Sequence, residues 1–207
     1  MQKRLAVLLS LCLLFAVGGC APKADPLPTS PLSTEDPEMV QPNTDGKESS
    51  PDAPLALDDV GICGKYSDEA GDYQAVLVTL RQIVRGEEAV AIVEGYQPGS
   101  EDLPIEPLAD SGSEYVAITF DVFIPEGYSM GDSGTETILP ISITGLDGSL
   151  LNINGEPYLT TPIDISGSRL AQGGSSVTRQ AVFALPQDFT EYLIAFGDGQ
   201  IAYYSGQ

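Results

Sequence analysis

The spacing of apolar residues changes several times along this chain, and each change marks a different kind of segment. After Lys3 and Arg4, the run LAVLLSLCLLFAV (Leu5 to Val17) is uninterrupted. A bilayer span needs roughly 20 such residues, and this run stops early at Gly18 and Gly19, so a secretory signal segment over residues 1–19 is expected. Residues 20–57 show no apolar period and are dense in Pro, Ser, Thr and acids. Such a composition cannot bury enough surface to offset its ordering entropy, which predicts a disordered linker with an end-to-end distance of roughly 30 to 35 Å.

Periodic structure is expected from residue 58 onward, so 58–207 is read as one domain. YQAVLVTLRQIV (73–84) is β-branched and aromatic enough for a buried strand. In RGEEAVAIVEGY, Ala89, Ile92, Val93 and Tyr96 fall at helical spacing, with Gly95 placed as a stop, and predict one short helix. EYVAITFDVFIP alternates with period two. It puts Val116, Ile118, Phe120, Val122 and Ile124 on an inward face and Tyr115, Thr119 and Asp121 on a face toward solvent or a partner. ILPISITGLDGSLLNI reads as a hairpin with a two-residue turn at Asp147-Gly148. SSVTRQAVFALP predicts a strand ended by Pro186, and EYLIAFGDGQIAYY a final strand pair around Gly197 to Gln200. Asp188 and Tyr192 have the spacing of a tyrosine corner. Short strands separated by turn signals predict an all-β fold, an antiparallel β-sandwich with one short helix.

The order Val17-Gly18-Gly19-Cys20, behind a cationic and then apolar start, resembles the lipobox of bacterial lipoproteins. The resemblance implies cleavage between Gly19 and Cys20 and acylation of the Cys20 sulfur. Two or three acyl chains, at about 0.8 kcal/mol per buried methylene, suffice for a stable anchor. Further along stand Arg85-Gly86-Glu87-Glu88-Ala89, Gly112-Ser113-Glu114-Tyr115-Val116, Asp147-Gly148, Leu170-Ala171-Gln172-Gly173-Gly174 and Val182-Phe183-Ala184-Leu185-Pro186. Together they resemble the DUF4352 family of bacterial lipoprotein domains, with Leu185 where valine is usual. That resemblance covers about residues 73 to 197 and implies an immunoglobulin-like sandwich. No catalytic residue comes with it.

Charge narrows the partners. The chain carries −21, and loss of residues 1–19 would remove two cations and no acid, giving −23. Nucleic acid is excluded as a partner, because its binding rests on cations that neutralise phosphates. An anionic bilayer surface would repel the domain too, so contact with the membrane is expected only through acylated Cys20. Of three cysteines, Cys12 leaves with the signal and Cys20 takes lipid, so Cys63 has no disulfide partner and is expected to pack in the core. That poverty of disulfides favours a Gram-positive cell membrane, outer face, as the location.

Candidate chemistry is sparse. The chain has no histidine, which removes the commonest general base and zinc ligand. Glu87-Glu88, Glu101-Asp102 and Asp58-Asp59 are adjacent carboxylates of the kind glycoside hydrolysis uses, yet with 30 acids such neighbours arise from composition. GDSGTET (131–137) gathers oxygen donors suited to calcium but lacks an EF-hand pattern. Tyr203 and Tyr204 are read as packing residues in preference to a sugar platform. The expectation is a non-enzymatic module, without cofactor or metal, that binds an extracellular or cell-envelope protein. The alternative is an accessory lipoprotein that binds a carbohydrate or a cation for a transporter or sensor.

Overall fold

The computed structural model describes residues 45–98, 104–105, 107–108, 112–167 and 169–207; the signal segment, Gly19-Cys20 and the linker up to residue 44 lie outside them. The fold is the expected antiparallel β-sandwich with one helix. Strands β1 (Val60–Ser67) and β2 (Asp72–Arg85) form a hairpin. Helix α1 (Glu87–Gly95) follows, then β3 (Ser113–Ile124), β4 (Thr135–Glu136), β5 (Ile141–Thr144), β6 (Asn152–Ile153), β7 (Glu156–Pro157), β8 (Ile163–Asp164), β9 (Leu170–Ala171), β10 (Ser175–Pro186), β11 (Leu193–Phe196) and β12 (Ala202–Ser205). One sheet has the order β1-β2-β3-β10-β8 and the other β12-β11-β5, with small ladders β4-β9 and β6-β7 beside them.

The core lies between the two sheets. Val116, Ile118, Phe120, Val122 and Ile124 of β3 are all fully buried, as their alternation predicts, and Phe120 meets Phe196 of β11 at a ring-centroid distance of 4.9 Å. The opposite row is less exposed than expected. Ala117 is buried in a second cluster with Val84, Ala89 and Val182, supported by Ile92 and Val93 of α1, while Tyr115, Thr119 and Asp121 stay partly exposed.

A β-bulge in β2 creates that second cluster. Before it, Val76, Val78 and Leu80 face the main core; the register against β3 then shifts between Leu80 and Gln82. The extra residue, Arg81, inverts the alternation, so Ile83 packs on the main core and Val84 turns outward beneath α1.

Three expectations are corrected. Residues 45–57 belong to the domain and not to the linker. Lys47 exchanges backbone hydrogen bonds with Val60 and Ile62 on the edge of β1, and Leu55 does so with Tyr203 and Ser205 on the edge of β12. Leu55 is only 5% exposed, so an apolar anchor inside a polar stretch supplies the missing burial. At Asp147-Gly148 only the glycine has positive φ (76°); Gly148 N donates to Gly145 O and Gly145 N to Ser149 O, a three-residue loop closed by a bulge. The two-residue turn with both φ positive is instead Asn154-Gly155 (56° and 87°), joining β6 to β7. Finally, Tyr192 makes no tyrosine-corner bond: its hydroxyl is buried without a hydrogen-bond partner among the described residues, its ring set edge-on to Phe183. Nearby, Arg85 takes the carbonyls of Pro186, Gln187 and Phe189, and so holds that loop in the tyrosine's place.

The two sheets are joined at Tyr204. Its buried hydroxyl lies 2.6 Å from Val78 O and 2.9 Å from Asp59 O, and accepts from Gly61 N at 3.1 Å. Tyr204→Phe leaves these buried backbone groups short of a partner and is expected to lower stability by about 1–3 kcal/mol, read by urea denaturation. A chain that starts at residue 58 should unfold at clearly lower urea than one that starts at 45. Equal midpoints would return 45–57 to the linker.

Candidate functional site

The outward face of the five-stranded sheet holds the most developed concavity. Its floor is the outward row Tyr115, Val182 and Ala184, which the β3-β10 register sets side by side. One wall comes from the connection between α1 and β3 through Ile105 and Leu108, and the other from Tyr158 and Leu159 before β8. The cavity is about 630 Å³, and Leu159 is 79% exposed at its lip. A second cavity of about 490 Å³ lies further along β10, between α1 and the segment after β8, and is bordered by Tyr96, Gln97, Ser166 and Gln180.

A buried ion pair fixes the β8 wall. Arg179 stands on the inward row of β10, opposite Phe120, and is 1% exposed. Its Nε donates to Asp164 Oδ2 at 2.7 Å, Nη1 to Thr137 Oγ1 at 2.7 Å and Nη2 to Gly167 O at 2.9 Å. Burying a guanidinium is tolerable only when its donors are met in this way.

A third, polar cavity of about 340 Å³ closes one end of the sandwich. Lys65 occupies the inward row of β1 there, beside Ser67, Ser129 and Glu136. Burial lowers the Lys65 pKa, while the Glu136 and Asp68 carboxylates oppose the shift. The 131–137 segment named for its oxygen donors lines this cavity, yet among the described residues no three Cys, Asp or Glu side chains gather as metal ligands.

The other nominated residues stay apart. Glu87 and Glu88 are exposed in the first turn of α1, where carboxylates favour the helix dipole. Asp58 pairs with Arg81, and Asp59 pairs with Lys47 and accepts from Ala56 N. These bonds hold the Asp59 pKa below the usual carboxylate value, the Lys47 contact first. Glu101-Asp102 lies outside the described residues. Tyr204 is core, and the Tyr203 backbone N–H donates to Ser49 Oγ. Cys63 is fully buried, and desolvation pushes its thiol up to about 12. The sequence places Tyr115 on a face toward solvent or a partner, but its periodicity gives no sign of Val182, which reads as core in its strand, or of Leu159 beside it. The signal lay in Leu159 and the Ile105 and Leu108 stretch, apolar positions outside any period.

No protein-family model, curated protein or solved structure matches this chain.

Two outcomes test this geometry. Asp164→Ala strands a buried guanidinium and should destabilise the fold by about 3–5 kcal/mol, whereas Arg179→Met, which removes the charge, should cost far less. Chemical denaturation of both variants measures the difference. In a chain that starts at residue 45, Cys63 should resist a disulfide-exchange reagent at pH 8 until denaturant is added, since a thiol with a pKa of about 12 holds almost no thiolate. Prompt labelling of the native chain would contradict its burial.

Proposed function

We propose that this chain is a lipid-anchored extracellular interaction module of immunoglobulin-like architecture, without enzymatic activity, displayed on the outer face of a bacterial cell membrane. Acylated Cys20 ties it to the bilayer, and a polar, proline-rich tether separates the anchor from the domain. The domain binds another envelope or extracellular protein.

The observation that carries this reading is the outward groove at Tyr115, Val182 and Leu159. It is an apolar concavity on the surface of a strongly acidic chain, and exposed apolar patches of this kind mark contact sites. The described titratable side chains favour the same reading: the nominated carboxylates cap turns and pair with cations instead of converging on a cleft. A second reading, a small-ligand lipoprotein for a carbohydrate or a cation, draws support from the polar cavity at Lys65, whose hydroxyl and backbone groups suit a carbohydrate. A thermal shift with such ligands separates the two.

On intact cells, a photo-crosslinking residue in place of Leu159 should capture one discrete protein, and the same residue in place of Tyr66, beside the turn of the β1-β2 hairpin, should not. Cys20→Ser should release the protein into the medium or leave an unprocessed precursor. Equal capture from both positions, or unchanged membrane retention of Cys20→Ser, would overturn the reading.

A further inference from the structure

The outward groove has a chemistry specific enough to name its occupant. We propose that it takes an extended segment of a partner protein in which apolar side chains alternate with lysine or arginine. This rests on the interaction-module reading and adds the partner's chemical class.

Three observations carry it. The first is shape. The outward row of β10 runs from Ala184 through Val182 to Gln180, four residues or about 14 Å at strand rise. The larger cavity opens over Val182 and Ala184, the smaller over Gln180. Both lie between the α1 side and the β8 side, so together they follow one strand direction. An extended segment repeats its side chains on one face every second residue, about 7 Å apart, and can place successive ones in the two cavities.

The second is polarity. The larger cavity is lined by Tyr115, Val182, Ile163 and Leu159, which reward an apolar side chain. Tyr96, Gln97, Ser166 and Gln180 make the smaller cavity more polar. The occupant's two groove-facing positions therefore differ, the first large and apolar, the second smaller or capable of hydrogen bonding.

The third is charge. Glu87, Glu88 and Glu94 are exposed on α1, the helix whose Ala91, Ile92 and Gly95 border the smaller cavity. Of the cations on the surrounding elements, Arg85 is paired with Glu114 and Arg179 with Asp164, while Arg169 is exposed and bonds the neutral carbonyl of Ser166. An acidic segment would meet more negative than positive charge there, whereas lysines or arginines that point away from the floor meet the carboxylates of α1.

The test uses three capped synthetic peptides, Lys-Leu-Lys-Leu-Lys, Lys-Ser-Lys-Ser-Lys and Glu-Leu-Glu-Leu-Glu, titrated into the chain from residue 20 with Cys20→Ser, at physiological ionic strength. The lysine-leucine peptide should bind at least about tenfold more tightly than either other peptide. Leu159→Glu should weaken it at least about fivefold, although the substitution adds a negative charge. Charge attraction alone would leave that affinity unchanged or raise it. Because Leu159 is 79% exposed, the variant should keep the wild-type melting temperature, and Leu159→Ala provides a charge-neutral check. Equal affinity for the two lysine peptides, or binding that Leu159→Glu leaves intact, overturns the proposal. Should that happen while the residue-159 crosslink on cells persists, the module reading stands and only the partner's chemistry is wrong.

Discussion

One hydroxyl group sits where the two sheets must agree on their positions. Tyr204 belongs to β12, yet its oxygen contacts Val78 O of β2 and Gly61 N of β1, so the three-stranded sheet is bonded to the five-stranded one across the core. The approach requires Gly61: a Cβ there would stand 2.9 Å from that oxygen and 2.7 Å from Leu55. Leu55 in turn pairs with β12 through Tyr203 and Ser205. Buried polar groups are costly when unmet, so this constellation selects one register between the sheets where apolar contacts alone would tolerate several. The groove on the outward face depends on it indirectly, because β2 and β3 are positioned from this end.

The inward row of β3 was legible because its period-two alternation runs unbroken from Val116 to Ile124, and the closing pair β11 and β12 was legible from its glycine-rich turn. What escaped was whatever a single residue decides. One bulge at Arg81 inverts the row of β2 and creates the second cluster under α1, and nothing in YQAVLVTLRQIV announces it. Leu55 was hidden because an isolated apolar residue among prolines has no period, although its burial draws residues 45–57 into the domain. Arg179 escaped for a different reason. A lone cation in a strand reads as solvent-facing, yet it occupies an inward position and satisfies its donors through Asp164, Thr137 and Gly167, which lie far away in sequence. The candidate site escaped for the same reason, since its floor and walls come from four separate stretches.

The covering of the strand edges bears on how such a domain can recognise anything. An exposed edge invites a partner strand. Here the outer edge of β1 is occupied by Lys47 and, further along, by Asp198 and Gln200, which bond to Gly64. The edge of β12 is taken by Leu55, and Thr144 of β5 is bridged by Leu150. At the far side of the larger sheet β8 pairs with β10 over only two residues, held by the Arg179–Asp164 pair. Strand addition therefore finds little continuous edge on β1 or β12. The surface left for recognition is a face, and on the outward face α1 already buries Ala117 and leaves the groove beside it.

That division has an energetic logic. An acidic domain repels neighbours of like charge over roughly 10 Å at ordinary ionic strength. Charge by itself discriminates poorly among basic partners. An apolar groove among carboxylates combines long-range attraction with a short-range demand for shape, so only a cationic segment that also presents suitably spaced apolar side chains gains from both. The rigid β10 floor sets that spacing at about 7 Å, and the ion pair behind β8 keeps the wall from drifting. Selectivity in such a site comes from the scaffold's fixed geometry, and the bulge at Arg81, by turning Val84 outward, seats the helix that borders the smaller cavity.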